Sequence, residues 1–338
     1  MTDFFPGFEP RRIQTSGAEI KLVTGGSGPP LLLLHGYPLS HLMWASSLRA
    51  WPPSSPSSRP TCAAVAIAPS RPPGRTIHSK RALALDQVET MRALGFKRFA
   101  VAGHDRGARV AHRLARDHPE RIERMALLDI VPTLYRFETI DQKAATSSWH
   151  WFFLIQPRGF PERLIGAEAE FFLRHQLSAL LRDPAKLEPE AFAEYLRCFK
   201  NPETTRATCD EYRAGASIDL VHDRAQKPAM PLLVLWGQRS SQGSGYDVLA
   251  VWREHAENGH RPWHRQRPLP PGRGAGRNLP GAAQLFRRQG GLKATDTASR
   301  RTTNEWGAIA LFSFSRGRAA FVDSTRRFRC FRTRQIKH

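Results

Sequence analysis

FAVAGHDRGARV, residues 99–110, joins an apolar run to a helix-forming segment through a short glycine-flanked turn. The apolar run is typical of a buried strand and stops at Gly103, and helical periodicity begins at Arg109. The pattern small-x-Asp-x-small between them predicts a nucleophile elbow, in which the glycines allow neighbouring backbones to approach closely. Asp105 then lies at the tip of the turn, beside a helix N-terminus that favours an anion. An ordinary βα turn with Asp105 as a helix N-cap is the alternative interpretation.

A carboxylate at this tip, where serine is usual, suits displacement at a saturated carbon. It can form an ester with the substrate, and water can open that ester later. Leu34 is followed by His35-Gly36-Tyr37-Pro38, a second turn at the carboxyl end of a predicted strand. Open α/β sheets place their ligands at this edge. The two turns therefore predict one site.

Strand-like and helix-like segments alternate on both sides of residues 99–110, which predicts a doubly wound, mostly parallel α/β sheet. A stretch of helices rich in aromatic residues interrupts the alternation and predicts an inserted helical cap. We expect a core over residues 1–132, a cap over 133–226, further core over 227–258 and an irregular or disordered tail over 259–338. The predicted elements are a hairpin over 13–15 and 18–23, strands over 31–34, 99–102, 125–128 and 231–236, and helices over 79–94, 109–117 and 248–257.

The net charge of +21 is unevenly distributed along the 338 residues. The segment 259–338 carries +15 of it, and the remainder resembles an ordinary enzyme surface. A nucleic-acid-binding protein is disfavoured, because the basic tail lacks helical periodicity and a known nucleic-acid-binding motif. Four scattered cysteines indicate a reducing compartment, and no signal peptide or membrane-spanning run is evident, so we expect a cytoplasmic protein.

Several segments together resemble the haloacetate (fluoroacetate) dehalogenases of the α/β-hydrolase fold. Gly-His-Asp alone would also fit epoxide hydrolases, whereas the two arginines after Asp105 and His150-Trp151 in the cap are more specific. The resemblance covers roughly residues 5–44 and 69–258. The matching segments are LLLLHGYP, FAVAGHDRGARVAHRLA, MALLDIVPT, SSWHWFFLIQP, EYLRCF, CDEYRAGASIDL and PLLVLWG.

A haloacetate is an anion, so its pocket needs fixed positive charge. Arg106 and Arg109 lie three residues apart at the start of a helix and can project to one side. Guanidinium groups hold a carboxylate directionally, which makes these residues the candidate substrate-binding pair. Two solvent-exposed helix arginines are the alternative. Backbone N–H groups of Tyr37 and Arg106 are expected to line an oxyanion hole.

The resemblance implies further roles. His150, Trp151 and Tyr212 would donate hydrogen bonds to the leaving halide, although each could equally be a packed cap aromatic. Asp129 would be the acid that orients a catalytic histidine, with Asp247 as the reserve candidate. No cofactor or metal is implied.

Two segments depart from the family pattern. The family's base histidine is expected in a turn about 35 residues after Trp236, where this chain reads Pro268-Leu-Pro-Pro-Gly-Arg273. His255, His260 and His264 are weak substitutes for it. Between Trp44 and Pro69 a Pro/Ser/Ala run stands where a strand and an acidic turn are expected, so we predict that this strand is missing.

Pro-, Arg- and Ala-rich sequence is what GC-rich DNA encodes when it is translated out of frame. Codon degeneracy allows residues 47–67 to be re-read as APGLAAEFTVVAPDLRGCGDS, and residues 265–288 as a segment containing GHFLPEEAPEET. We therefore hypothesise frameshifted segments near residues 45–68 and after residue 258. Resequencing that finds all 338 codons in one intact frame would remove this explanation.

The sequence thus predicts a hydrolase that converts haloacetate to glycolate through an Asp105 ester and is impaired by the missing histidine. The alternatives are an epoxide hydrolase, with Tyr195 and Tyr212 as proton donors, and an inactive binding protein with a basic tail. We expect a small halocarboxylate as ligand and no nucleic-acid or membrane partner, and a homodimer is possible.

Overall fold

The computed structural model describes residues 4–49, 60–65, 72–74, 76–180, 187–223, 232–237, 240–255, 317–322 and 329–332. Within these residues the chain forms one sheet of nine strands in the order β1-β2-β4-β3-β5-β6-β7-β8-β9. The strands are β1 Glu9–Gln14, β2 Glu19–Gly25, β3 Gly28–Leu34, β4 Pro60–Val65, β5 Phe99–His104, β6 Ile122–Leu128, β7 Leu232–Gly237, β8 Gly317–Val322 and β9 Arg329–Arg332.

The five central strands, β4, β3, β5, β6 and β7, run parallel to one another. The outer strands β1, β2, β8 and β9 pair antiparallel with their neighbours. This arrangement confirms the predicted α/β class with a mostly parallel sheet. Because parallel strands end at the same edge, the turns after β3, β5 and β6 lie together.

Helices cover the sheet and form the connections between its strands. Before β6 these are α1 Ala45–Arg49, α2 Lys80–Ala93 and α3 Arg106–Asp117. Between β6 and β7 lie α4 Thr133–Glu138, α5 Gln142–Ser147, α6 Trp149–Leu154, α7 Phe160–Ala167, α8 Ala169–Leu180, α9 Pro189–Phe199, α10 Pro202–Gly215 and α11 Ile218–Asp223. After β7 come α12 Ser241–Gly245 and α13 Val248–His255.

The central strands are apolar on both faces, which explains their continuous hydrophobic runs. Leu32 and Leu34 belong to the cluster that packs under α2, α3 and α13, whereas Leu31 and Leu33 belong to the cluster under the cap. The helices of residues 133–223 therefore close the face of the sheet on which the carboxyl-end turns open. No helix in the described part of the chain is long and apolar enough to cross a membrane.

The prediction that residues 45–68 lack a strand is wrong for residues 60–65. Strand β4 lies between β2 and β3, with Cys62 opposite Leu31 and Val65 opposite Leu34. The physical reason is that β2 and β3 both present unpaired backbone groups, and main-chain pairing is available to any extended segment of suitable length. Residues 50–59 and 66–68 lie outside the described residues.

The tail was expected to be irregular, yet β8 and β9 extend the sheet beyond β7. β8 carries the apolar run Ala319-Ala-Phe-Val322, which pairs antiparallel with Leu232–Leu235. An unpaired edge at β7 explains why this short run adds to the sheet. The rest of residues 259–338, including Pro268–Arg273, His260 and His264, lies outside the described residues.

Candidate active site

Asp105 lies between β5 and α3 in a backbone conformation that non-glycine residues seldom adopt, with φ 47° and ψ −114°. Its N–H donates to the carbonyl of Leu128 at 3.1 Å, which ties the turn to the end of β6. The carboxylate makes no hydrogen bond that caps the helix. Instead Oδ2 accepts the backbone N–H of Tyr37 at 3.1 Å. Asp105 therefore occupies the N-cap position of α3 without capping the helix through its side chain, and the carboxylate faces the turn after β3.

Three glycines allow this turn to form because neighbouring backbones approach too closely for a side chain. A Cβ on Gly107 would lie 2.4 Å from the carbonyl oxygen of Leu34, and one on Gly103 would lie 2.4 Å from that of Gly107. A Cβ on Gly36 would lie 2.7 Å from Cβ of Asp105. Close packing of β3, β5 and α3 thus explains the small residues of the elbow pattern.

Arg106 and Arg109 are buried at 3% and 4% exposure, so the alternative of two exposed helix arginines is wrong. The Arg106 guanidinium lies 4.8 Å from the ring centre of Tyr212 and is ion-paired with Glu211. Glu211 also pairs with Nζ of Lys80 at 3.0 Å. Arg106 is therefore held by a buried carboxylate from the cap helix α10.

Arg109 has different partners. Its Nη1 donates to the carbonyl of Val131 at 3.1 Å and to Oγ1 of Thr133 at 3.0 Å, and its guanidinium lies 4.6 Å from the ring centre of Trp151. Burial lowers the pKa of Arg109 to about 10, an effect that the charge of Asp105 opposes. The group remains cationic at neutral pH.

The cap places the three predicted halide donors together over this end of the sheet. The ring centre of Tyr212 lies 6.1 Å from that of His150 and 6.0 Å from that of Trp151. The Tyr212 hydroxyl is buried without a hydrogen-bond partner, and so is the hydroxyl of Tyr37, whose ring lies 5.6 Å away. Buried donors without partners are unusual, and a ligand in the pocket would satisfy them.

The charge of Asp105 affects the pKa values of both His150 and Tyr212. Burial lowers the pKa of His150 to about 4, and Asp105 partly opposes that shift. Burial also raises the pKa of Tyr212 well above its usual value, with Asp105 acting in the same direction. His150 is thus neutral and Tyr212 protonated at neutral pH, so both can donate hydrogen bonds.

Asp129 follows β6 and also has a positive φ, 58°. Its Oδ1 accepts the hydroxyl of Ser240 at 2.5 Å and the N–H of Gly237 at 3.3 Å. Burial raises the pKa of its carboxyl, whereas the bond from Ser240 and the charge of His104 lower it. Asp247, the reserve candidate, is exposed and accepts the N–H of Ala250 at the start of α13.

No histidine among the described residues hydrogen-bonds to Asp129. His255, one of the weak substitutes, lies on α13 with its ring 5.7 Å from that of Tyr135 and Nδ1 2.8 Å from the carbonyl of Val251. Its position does not bring it to Asp105. His104 has a buried Nδ1 without a hydrogen-bond partner and acts electrostatically on Asp129.

Sequence reasoning did not single out four residues near the pocket: Lys80, His104, Arg136 and Glu211. The position of His104 directly before the elbow aspartate is a signal that could have found it. Glu211 adjoins Tyr212 in the CDEYRAGASIDL segment. Lys80 and Arg136 have no local signal, because only the tertiary packing of α2 and of the cap helix α4 brings them here.

Comparison with known proteins agrees with this geometry. Residues 29–266 match the family model for the alpha/beta hydrolase fold. The chain is 39% identical to the fluoroacetate dehalogenase of Burkholderia sp. over 75% of its length and 86% of that protein. It is 30% identical to the soluble epoxide hydrolase of Corynebacterium sp. (strain C12) over 72% of its length and 84% of that enzyme.

A solved structure of a putative alpha/beta hydrolase from Nostoc sp. PCC 7120 superimposes with a TM-score of 0.69 and 49% identity, covering 74% of this chain and 87% of that one. The aspartate elbow, the buried arginines and the cap aromatics agree with these matches. The chain therefore belongs to the haloacetate dehalogenase family of the α/β-hydrolase fold.

Proposed function

We propose that this hydrolase cleaves the carbon–halogen bond of a haloacetate, such as fluoroacetate or chloroacetate, through an ester on Asp105. The observation that carries the proposal is the position of the Asp105 carboxylate. It lies in a strained elbow with Oδ2 on the Tyr37 N–H, beside Arg106 and Arg109, two buried cations. An anionic substrate is held by these charges while its methylene carbon faces the carboxylate.

In the first step the free carboxylate oxygen of Asp105 attacks the methylene carbon and forms a C–O bond. The C–halogen bond breaks, and the halide leaves with the bonding electron pair. We expect His150, Trp151 and Tyr212 to donate hydrogen bonds to that halide, and their proximity and the unpartnered Tyr212 hydroxyl support this role. The product is a glycolyl ester of Asp105.

In the second step water attacks the ester carbonyl, and glycolate leaves. Oδ2 becomes the carbonyl oxygen, and the Tyr37 N–H already bound to it stabilises the developing oxyanion. Among the described residues, Asp129 hydrogen-bonds to Ser240 and Gly237 and not to an imidazole. Without a general base, ester opening slows by about 10²- to 10⁴-fold. We therefore expect rapid alkylation followed by slow release.

Intact-mass spectrometry after incubation with chloroacetate, paired with a free-chloride assay, tests the proposal. We expect one added carboxymethyl group that peptide mapping locates on Asp105, and about one chloride per chain before the slow phase. Asp105→Asn should give neither. Failure of the wild-type chain to form the adduct or to release halide would refute the proposal.

An epoxide hydrolase is the second candidate, favoured by the Corynebacterium relative and by two unpartnered tyrosine hydroxyls, those of Tyr37 and Tyr212. The predicted partner Tyr195 has Glu188 and Cys198 as its electrostatic neighbours, whereas Tyr212 has Asp105. A neutral epoxide would leave the buried arginines without a ligand. Turnover of a neutral epoxide such as styrene oxide without reaction of chloroacetate would favour this second candidate.

A further inference from the structure

Tyr37 carries a hydroxyl that the proposed reaction does not use. The backbone N–H of Tyr37 binds Oδ2 of Asp105 at 3.1 Å, and its side chain is buried. Its hydroxyl oxygen has no hydrogen-bond partner among the described residues, and neither has the buried hydroxyl of Tyr212. Leaving a buried hydroxyl unpaired costs free energy, so a ligand that accepts hydrogen bonds from both groups would be stabilised by them.

The two tyrosines are neighbours of each other, of the nucleophile and of Arg106. Their ring centres lie 5.6 Å apart, in an edge-to-face arrangement. The Arg106 guanidinium lies 5.9 Å from the ring centre of Tyr37 and 4.8 Å from that of Tyr212. The charge of Asp105 raises the pKa of both hydroxyls, and the charge of Arg106 lowers it. Two hydroxyl donors, a carboxylate and a guanidinium therefore act on one another at this site.

Arg106 and Arg109 supply the positive charge for a carboxylate, and each has buried guanidinium nitrogens without a hydrogen-bond partner among the described residues. A ligand that satisfies both arginines and both tyrosine hydroxyls has to be an anion with an oxygen acceptor on the carbon that Asp105 attacks. A haloacetate lacks that oxygen, and a neutral epoxide lacks the carboxylate. The 2,3-epoxy acids, of which glycidate (oxirane-2-carboxylate) is the simplest, have both groups.

We propose that the site also opens small 2,3-epoxy acids through an ester on Asp105, with the hydroxyls of Tyr37 and Tyr212 as donors to the epoxide oxygen. This inference rests on the proposed function, because it uses the same nucleophile and the same two arginines. Three donors already serve the halide, so the hydroxyl of Tyr37 is the group that extends the site to oxygen as a leaving group.

The reaction consumes one water and converts glycidate to glycerate. A carboxylate oxygen of Asp105 attacks C2, beside the substrate carboxylate, and the C2–O bond of the ring breaks with its electron pair on oxygen. That oxygen stays attached to C3 and takes a proton from a tyrosine hydroxyl, because an alkoxide is a stronger base than a tyrosinate. The charge of Arg106 favours the tyrosinate until water returns the proton. Water then opens the ester.

The test compares alkylation of Asp105 by glycidate, by its neutral amide glycidamide and by chloroacetate. Intact mass measures each rate and peptide mapping locates the adduct, with Asp105→Asn as the background for cysteine alkylation. Glycidate should add its whole mass, because the ring oxygen stays on the adduct, whereas chloroacetate loses chloride. After correction for reactivity toward free acetate ion, wild type should favour glycidate over glycidamide by about tenfold or more. Equal corrected rates would overturn the inference.

Tyr37→Phe isolates the hydroxyl, because it keeps the ring and the backbone N–H that binds Asp105. It should lower the glycidate rate relative to the chloroacetate rate by about tenfold or more, the loss expected for a hydrogen bond to developing charge. Tyr195→Phe is the matched control, since it changes a buried cap tyrosine whose electrostatic neighbours are Glu188 and Cys198, and should keep the wild-type ratio. A folded Tyr37→Phe with a ratio within about twofold of wild type would overturn the inference. The wild-type comparison with glycidamide does not depend on the folding of any variant.

The chloroacetate reaction separates failure of this inference from failure of the proposed function. Alkylation of Asp105 by chloroacetate without a glycidate adduct would leave the proposed function intact and overturn the inference. A glycidate adduct on Asp105 without reaction of chloroacetate would refute the haloacetate function and support the opening of epoxy acids at the same site. Absence of both adducts would refute both.

Discussion

Asp105 and Asp129 occupy corresponding turns after the adjacent parallel strands β5 and β6. Both have a positive φ, 47° and 58°. In each turn the backbone N–H of the aspartate donates to a carbonyl of the next strand of the sheet. Asp105 donates to Leu128, and Asp129 donates to Leu235. The same backbone arrangement thus projects a carboxylate at two neighbouring points of one edge.

The surroundings of the two carboxylates differ. Among the described residues, the Asp105 carboxylate accepts a hydrogen bond from Tyr37 and lies among buried guanidinium groups and polar aromatic side chains. Asp129 receives hydrogen bonds from Ser240 and Gly237. Backbone strain therefore positions both groups, whereas the neighbouring side chains determine that one suits attack on an anion and the other suits holding a partner.

The largest contrast is expected when each aspartate is replaced by asparagine. Asp105→Asn should abolish the chloroacetate adduct, because an amide is a poor nucleophile. Asp129→Asn should retain alkylation within a few-fold of wild type, because Asp129 makes no contact that the first step needs. Intact mass against time measures both. Loss of the adduct in Asp129→Asn, in a folded chain, would break the proposed division of roles.

Replacing Glu211 tests how much the buried ion pairs with Arg106 and Lys80, on the Asp105 side of the site, stabilise the fold. Glu211→Gln leaves Arg106 and Lys80 without their shared carboxylate in a buried site, so unfolding free energy should fall by about 3–5 kcal/mol. Chemical denaturation measures the loss. As a matched control, Glu170→Gln removes one partner of an exposed pair with Arg174 and should cost no more than about 0.5 kcal/mol. Equally small losses of unfolding free energy in the two variants would show that the buried ion pairs of Glu211 contribute little to stability.

Substituting glycines by alanine tests the close packing of the Asp105 and Asp129 turns. A Cβ on Gly107 would meet the carbonyl oxygen of Leu34, and one on Gly243, on the Asp129 side, would lie 2.1 Å from the carbonyl oxygen of Gly237. Each Gly→Ala change should destabilise the fold by about 3 kcal/mol, because backbone must shift. Gly166→Ala, in α7 with nothing within 4 Å, should instead stabilise by about 0.5–1 kcal/mol. Thermal melts distinguish these signs, and a stabilising Gly107→Ala would contradict the packing described.

The smallest expected effect is that of His150 on the pH dependence of the unfolding free energy. Burial lowers the pKa of His150 to about 4 from 6.5, so below pH 6.5 the unfolded chain binds a proton that the folded chain does not. Unfolding free energy therefore falls as pH drops from 6.5. His150→Gln should flatten this slope by up to about 1.4 kcal/mol per pH unit. An unaltered slope in His150→Gln would show that the His150 imidazole is exposed to water in the folded chain.

Much of the Asp105 turn was predictable from local sequence. Gly103 and Gly107 bracket the aspartate at fixed spacing, and the end of the apolar run before them predicts where the strand ends. Ser79 caps α2 as expected, accepting the N–H of Ala82. The strand Pro60–Val65 was not predicted, because its place in the sheet depends on open edges of β2 and β3 rather than on its own composition.

The candidate site was predictable where a residue adjoins a motif and unpredictable where it does not. Arg106 and Arg109 follow the elbow directly, so their approach to Asp105 is a consequence of helix geometry. The pairing of Arg106 with Glu211 joins residues more than a hundred positions apart, and no local pattern encodes it. Arg136 lies on the short helix α4, and no pattern in that segment marks it as buried.

The sequence by itself determined the alternation of strands and helices, the position of the elbow and the aspartate at its tip, because these depend on periodicity and on glycines within a few residues. The tertiary structure decided which charges are balanced. Burial and ion pairing depend on how the cap helices pack over the sheet, and that packing pairs Arg106 with Glu211 of the cap helix α10.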